Sequence, residues 1–172
     1  VALFGADGAP LEPEGSERVL EAYHARQFLL RDWRGVGSCH GARRVSSRYF
    51  DALENAVDAD AIRRAGFRVL VDPVAGAGCG LLDGFAEALD LDLVPVNGSP
   101  SGYLPRDPEP RPRTAGAVAS IIRHLEGDAG FVFSSDMTRL SMVTEQAEPA
   151  SEEFTFPLVA DRVLTRSPGP VV

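Results

Sequence analysis

The stretch "GFRVLVDPVAGAGCGLLDGFAEALDLDLVPV", residues 66–96, decides the fold. Its apolar run "FRVLVDP" (67–73) is rich in β-branched residues and closed by a proline. A strand covered on both faces keeps no polar alternation, so this run reads as a buried strand. "VAGAGCG" (74–80) then supplies a glycine-rich turn, "LLDGFAEALD" (81–90) a helix and "LDLVPV" (91–96) a second strand. Strand, helix and strand at this spacing predict a parallel pair joined by a crossover.

Working outward, the same alternation continues. The Pro-rich loop "NGSPSGYLPRDPEPRPR" (97–113) is long enough to wrap a surface or line a cleft. After it, Ala115, Val118, Ala119, Ile122 and Leu125 share one helical face. "AGFVFS" (129–134) and "RLSMVT" (139–144) are strands whose connection is too short for a crossover, so that pair should be antiparallel. "SEEFTFPLVADRVL" (151–164) reads as a closing helix capped by Ser151. Upstream, Asp58 and Gly66 bracket a short helix as N-cap and C-terminal stop. Val45, Tyr49, Leu53 and Val57 recur every four residues as an apolar helical face, and residues 14–34 are loosely helical until glycines break them. The predicted fold class is α/β: a three-layer α/β/α sandwich on a four-stranded mixed, mainly parallel sheet.

Composition bounds the function. The 172 residues suit one domain with an appendage, and 44% hydrophobic content marks a folded chain. Seventeen basic against 25 acidic residues leave a net charge of -8, which argues against nucleic acid or an anionic membrane as partner. Every basic residue is arginine, and the lack of lysine excludes Schiff-base and P-loop chemistry. Cys39 and Cys79 stand far apart with no ligand spacing, so free thiols are expected rather than a zinc site. No apolar run is long enough to cross a bilayer and no signal peptide opens the chain; the expected compartment is the cytoplasm. The start at Val1 without Met, and the end in "GPVV", predict a fragment of a larger protein.

Two local motifs invite chemistry. Gly76, Gly78 and Gly80 lie between a strand and a helix, where a dinucleotide fold would meet a pyrophosphate. The spacing is GxGxG rather than GxGxxG, and "VPVN" offers no acid for a ribose, so a tight turn needing small residues is the better reading. "SSDMTR" (134–139) places Ser134, Asp136 and Thr138 at alternate positions of a turn, where side chains point the same way and acidic ones close around a hard cation. Only the middle residue is acidic. His24, His40 and His124 are scattered and suggest no triad.

In order and interval, "FRVLVDPVAGAGCGLL", "NGSPSGYLPRDPEPRP", "AGFVFSSDMTRLSMV" and "EEFTFPLVADRVL" resemble the second domain of the α-D-phosphohexomutases. These are the phosphoglucomutases and phosphomannomutases, including phosphoglucosamine mutases. "ALFGADGAPL" resembles the tail of that family's first domain, and "DWRGVG" with "YFDALENAVDADAI" resembles its linker helices. The resemblance thus implies a division into residues 1–40, first-domain tail and linker, and 41–172, the metal-loop domain. It also implies a parent protein that interconverts hexose 1-phosphate and hexose 6-phosphate through a phosphoserine, with hexose phosphate and the remaining mutase domains as partners. The family's loop, Asp-Gly-Asp-Ala-Asp-Arg, holds Mg²⁺ and falls on Ser134 to Arg139 here, with Asp136 kept and the outer acids replaced by Ser134 and Thr138. Mg²⁺ is therefore expected to bind weakly or not at all. Arg139 matches the family's arginine beside the phosphoserine and is a candidate phosphate contact. The family's Thr-Ala-Ser-His-Asn-Pro loop does not occur in the sequence, so the chain alone is expected to be inactive. The alternative is a non-catalytic relic of the family that serves as a binding or interaction module.

Overall fold

The apolar runs pair into one sheet. In this computed structural model, which describes residues 3–38, 45–166 and 169, β1 (Arg68–Asp72), β2 (Asp92–Pro95), β3 (Ala129–Phe133) and β4 (Leu140–Thr144) lie in the order β2–β1–β3–β4. β1 runs parallel to β2 and β3, setting Leu70 beside Val94 and Gly130. β3 and β4 are antiparallel, with Phe131 opposite Met142. The mixed, mainly parallel α/β sheet is the one the sequence predicts.

Period-two alternation divides the core between the two faces. Leu70, Val132 and Val143 pack with Ala115, Val118 and Ile122, the latter two on α5 (Gly116–Ile122). Val69 and Val71 pack on the other face with Leu82 of α4 (Leu82–Leu89), joined by half-buried Leu93, Phe131 and Phe133. Gly130 lets α5 come close, since a Cβ there would stand 2.5 Å from Val118 Cγ1.

The chain divides into two compact units, Val1–Ala42 and Arg43–Val172. The first holds α1 (Pro13–His24), which buries no residue, and an antiparallel bridge between Phe4 and Pro10. α1 stops ten residues short of the helical stretch read from sequence. Arg26 takes a left-handed φ of 53° while Arg26 and Gln27 donate back to Tyr23 O and Ala22 O, a Schellman-type closure achieved without glycine.

In the second unit α3 (Ala59–Ala65) begins and ends where expected. Asp58 Oδ1 accepts from Ala61 N at 3.1 Å, and Gly66 closes the helix at φ 61°. The face read on α2 (Val45–Ala56) is corrected. Phe50, outside the predicted line, makes the nearer approach to α4, its ring 5.4 Å from Phe85, with Tyr49 beside it at 6.1 Å though exposed. Leu53 is half-buried, and Val57 lies exposed past the helix end. A strict four-residue step drifts about 40° per turn on a helix of 3.6 residues per turn, so such a line spirals off any one face. Ser151 caps a 3-10 turn, Glu152–Phe154, rather than the α-helix itself, its Oγ accepting from Glu153 N at 3.3 Å. α6 (Thr155–Arg166) follows and leaves Phe156, Leu158, Val159 and Val163 exposed. Among the described residues no helix is long and apolar enough to cross a membrane.

Leu70 is fully buried between α5 and the sheet. Leu70→Ala should lower the unfolding free energy by about 2–5 kcal/mol, read by urea denaturation.

Candidate functional site

The carboxyl ends of β1 and β3 carry the polar chemistry of the domain. β1 ends in Asp72, whose side chain is fully buried. Asp72 Oδ1 accepts from Val74 N at 2.8 Å, and Oδ2 accepts from Asn97 Nδ2 at 3.1 Å and from Arg106 Nε at 2.8 Å. Arg106, only 12% exposed, also donates through Nη2 to Phe133 O at 2.9 Å and through Nη1 to Asp107 O at 2.9 Å. A buried ion pair is tolerable only when its remaining donors and lone pairs are satisfied, as they are here. The Pro-rich loop is thereby pinned across two strand ends. The same bonds hold Val74 and Ala75 at left-handed φ angles of 51° and 55°, costly above all for β-branched Val74, with Ala75 N donating to Asn97 O at 2.9 Å.

The glycine turn serves packing. Gly76 N donates to Pro73 O, Ala77 N to Ser135 O and Cys79 N to Gly76 O, so these amides are spent within the domain rather than offered to a pyrophosphate. A Cβ on Gly76 would overlap Ser135 O, and one on Gly78 would lie 2.6 Å from Met137 Sδ. The turn at 134–139 is thus seated directly on the glycine turn. Cys79 is a half-buried free thiol, its pKa pushed up by burial.

Residues 134–139 make a tight connection between β3 and β4. Ser134 N donates to Arg139 O and Met137 N to Ser134 O, both at 3.0 Å, with Met137 at φ 60°. Ser134, Asp136 and Thr138 converge. Asp136 Oδ1 accepts from Ser134 Oγ at 2.7 Å, Thr138 Oγ1 at 2.8 Å and Thr138 N at 3.1 Å. These bonds, Ser134's first, lower the Asp136 pKa from 3.8 to about 2.

The donor set does not suit Mg²⁺. An ionised carboxylate only accepts, so both hydroxyls turn their protons toward Asp136, and Ser134 Oγ is further engaged as acceptor of Arg139 N at 3.0 Å. Mg²⁺ demands near-octahedral oxygen ligands with carboxylates among them. Among the described residues no three His, Cys, Asp or Glu side chains stand together to hold a metal.

Arg139 has a carboxylate partner that sequence reading missed: its Nη1 lies 2.7 Å from each oxygen of Glu109, on the Pro-rich loop. The guanidinium stays largely exposed, so the pair adds about 0–1 kcal/mol and matters mainly for orientation. Asp72, Asn97 and Arg106 were missed as well. The available signals were an acid closing the apolar run in "VDP" and charges set between prolines in "PRDPEP". His24 is exposed at the end of α1 and His124 in the turn just past α5, His124 Nδ1 lying 2.8 Å from Ser120 O. His40 and Cys39 lie outside the described residues.

These features define an α/β/α domain whose polar turn crowns a mixed sheet. Residues 47–147 match the family model described as phosphoglucomutase/phosphomannomutase, alpha/beta/alpha domain II, and the chain belongs to that family. A phosphoglucomutase/phosphomannomutase of Thermococcus kodakarensis is 29% identical over 170 residues, 98% of this chain and 37% of that protein. A "Probable phosphoglucosamine mutase" of Methanopyrus kandleri is 25% identical over 99% of this chain. The crystal structure of a phosphoglucomutase/phosphomannomutase family protein from Burkholderia thailandensis shares the fold with a TM-score of 0.67, at 22% identity, over 92% of this chain and 33% of its own. The chain therefore spans about 37% of the length of these curated relatives.

Two outcomes are expected. Arg106→Met leaves Asp72 buried without its counter-ion and should destabilise the domain by about 3–5 kcal/mol in denaturant unfolding. Because the folded Asp136 pKa lies below its ordinary value of 3.8, its contribution is complete above about pH 4 and lost as pH falls through about 2. Stability measured between those limits should therefore fall less steeply in Asp136→Asn than in the parent.

Proposed function

We propose that this chain is the metal-loop domain of a phosphohexomutase, with residues 1–40 as first-domain tail and linker and 41–172 as the metal-loop unit. The parent protein acts in the cytoplasm and interconverts hexose 1-phosphate and hexose 6-phosphate by phosphoryl transfer, with this chain alone inactive. The observation that carries the reading is the convergence of Ser134, Asp136 and Thr138 at the strand end, next to Arg139, within the segment that matches the family. Arg139 then meets the phosphate of the sugar, displacing Glu109 from its guanidinium. Phosphoryl transfer asks little of a protein beyond position and positive charge, and an arginine supplies both.

The exchange of the outer acids for hydroxyls favours a second reading, a family domain kept for binding rather than catalysis. Either way the nucleophile is not in this sequence, and positioning alone forms no phosphoenzyme.

The test adds glucose 1-phosphate, and separately glucose, to chain labelled at the arginine side chains. The Arg139 Nε–H resonance should move with the sugar phosphate and not with glucose. A coupled assay for glucose 6-phosphate should stay at the no-protein level, with or without a bisphosphate activator. Turnover above that level would overturn the inactivity of the isolated chain. An unmoved Arg139 resonance would remove it as a phosphate contact.

A further inference from the structure

We propose that residues 134–139 are a self-ligated turn: two hydroxyl protons hold Asp136 where a divalent cation would otherwise hold it, so the turn keeps its shape and presents Arg139 without metal. This deepens the family reading, which supplies the metal loop against which the turn is compared. It does not depend on Arg139 meeting a phosphate.

Three observations converge. Asp136 Oδ1 accepts three donors, two of them the side chains at the positions that would otherwise be ligands. Oδ1, with its lone pairs so engaged, has little left for a cation. Oδ2 takes none of the three bonds, so the centre offers an ion one carboxylate oxygen and two hydroxyls whose protons already point at Oδ1. Ser134 Oγ then relays the constraint, donating to Asp136 and accepting from Arg139 N, so the carboxylate is linked through one side chain to the arginine's own backbone. The turn is also anchored from below, where Ala77 N donates to Ser135 O at 2.8 Å and glycine at 76 leaves room for that carbonyl.

Charge agrees with the hydrogen bonds. Around the turn, Asp72 is paired with Arg106 and Glu109 with Arg139, leaving Asp136 without a basic partner among the described residues. Three carboxylates crowded on one turn repel one another and need a cation to be tolerated. A single carboxylate with charge-assisted hydrogen bonds does not. The hydroxyls therefore replace two charges and the ion that balanced them.

The experiment follows the Thr138 and Arg139 amide resonances and the melting temperature in EDTA and in millimolar MgCl₂. Neither should change with metal. Saturable movement of both amides, or a melting temperature that rises with Mg²⁺, would overturn the proposal. Ser134→Ala with Thr138→Val removes both hydroxyl donors, and it should shift the two amides and lower the melting temperature equally with and without metal. Unchanged spectra and stability would show that the hydroxyls do not hold the turn. Ser134→Asp with Thr138→Asp should tighten Mg²⁺ binding by about tenfold or more in calorimetry, with a melting temperature recovered by the metal. A folded double variant with no gain would refute the shared centre. If that variant does not fold, the first two measurements decide.

Discussion

The Asp72–Arg106 pair is the constraint on which the rest of the site depends. It lies where two parallel strands stop hydrogen-bonding to each other and leave polar ends beneath a long loop. A carboxylate buried there without a partner would be forbiddingly costly. Arg106 answers it with a planar guanidinium whose nitrogens reach the carboxylate and the carbonyl of Phe133. One side chain thus fixes the Pro-rich loop to both β1 and β3. Glu109 is three residues further along that loop, and its grip on Arg139 is a consequence. The strained backbone at Val74 and Ala75 is held by the same carboxylate and by Asn97.

The two turns at the sheet end work as one object. Glycine at 76 and 78 is required by the backbone of Ser135 and the side chain of Met137, not by a ligand. This is why glycines between strand and helix do not by themselves mark a phosphate site. Close approach of protein to protein and of protein to phosphate place the same demand on Cβ. What separates them is the fate of the amides, and here carbonyls of the same domain take them.

Burial is uneven across the chain. The sheet is covered by α4 and α5, yet α6 buries no residue and α1 buries none. α6 borders an apolar groove of about 560 Å³ that includes Ile62, Phe67 and Val163. It also lies beyond residue 147, where the match to the family model ends.

The sequence by itself determined the sheet. Apolar runs bounded by glycine and proline, and loop lengths that permit or forbid a crossover, are local signals that burial only reinforces, so the four strands and their directions were legible. It also foresaw that Ser134, Asp136 and Thr138 face one centre, although a tight turn with Met137 at φ 60°, and not an extended backbone, brings them together. The facing of α2 and the end of α1 escaped it, since neighbouring helix geometry and a left-handed arginine decided them. Only the tertiary structure decided the partners of Asp72 and Arg139. Asp72 and Arg106 are 34 residues apart, and Glu109 and Arg139 are 30. Such pairs are chosen by where a loop of prolines is allowed to cross the strand ends, and no pattern of spacing along the chain encodes that crossing.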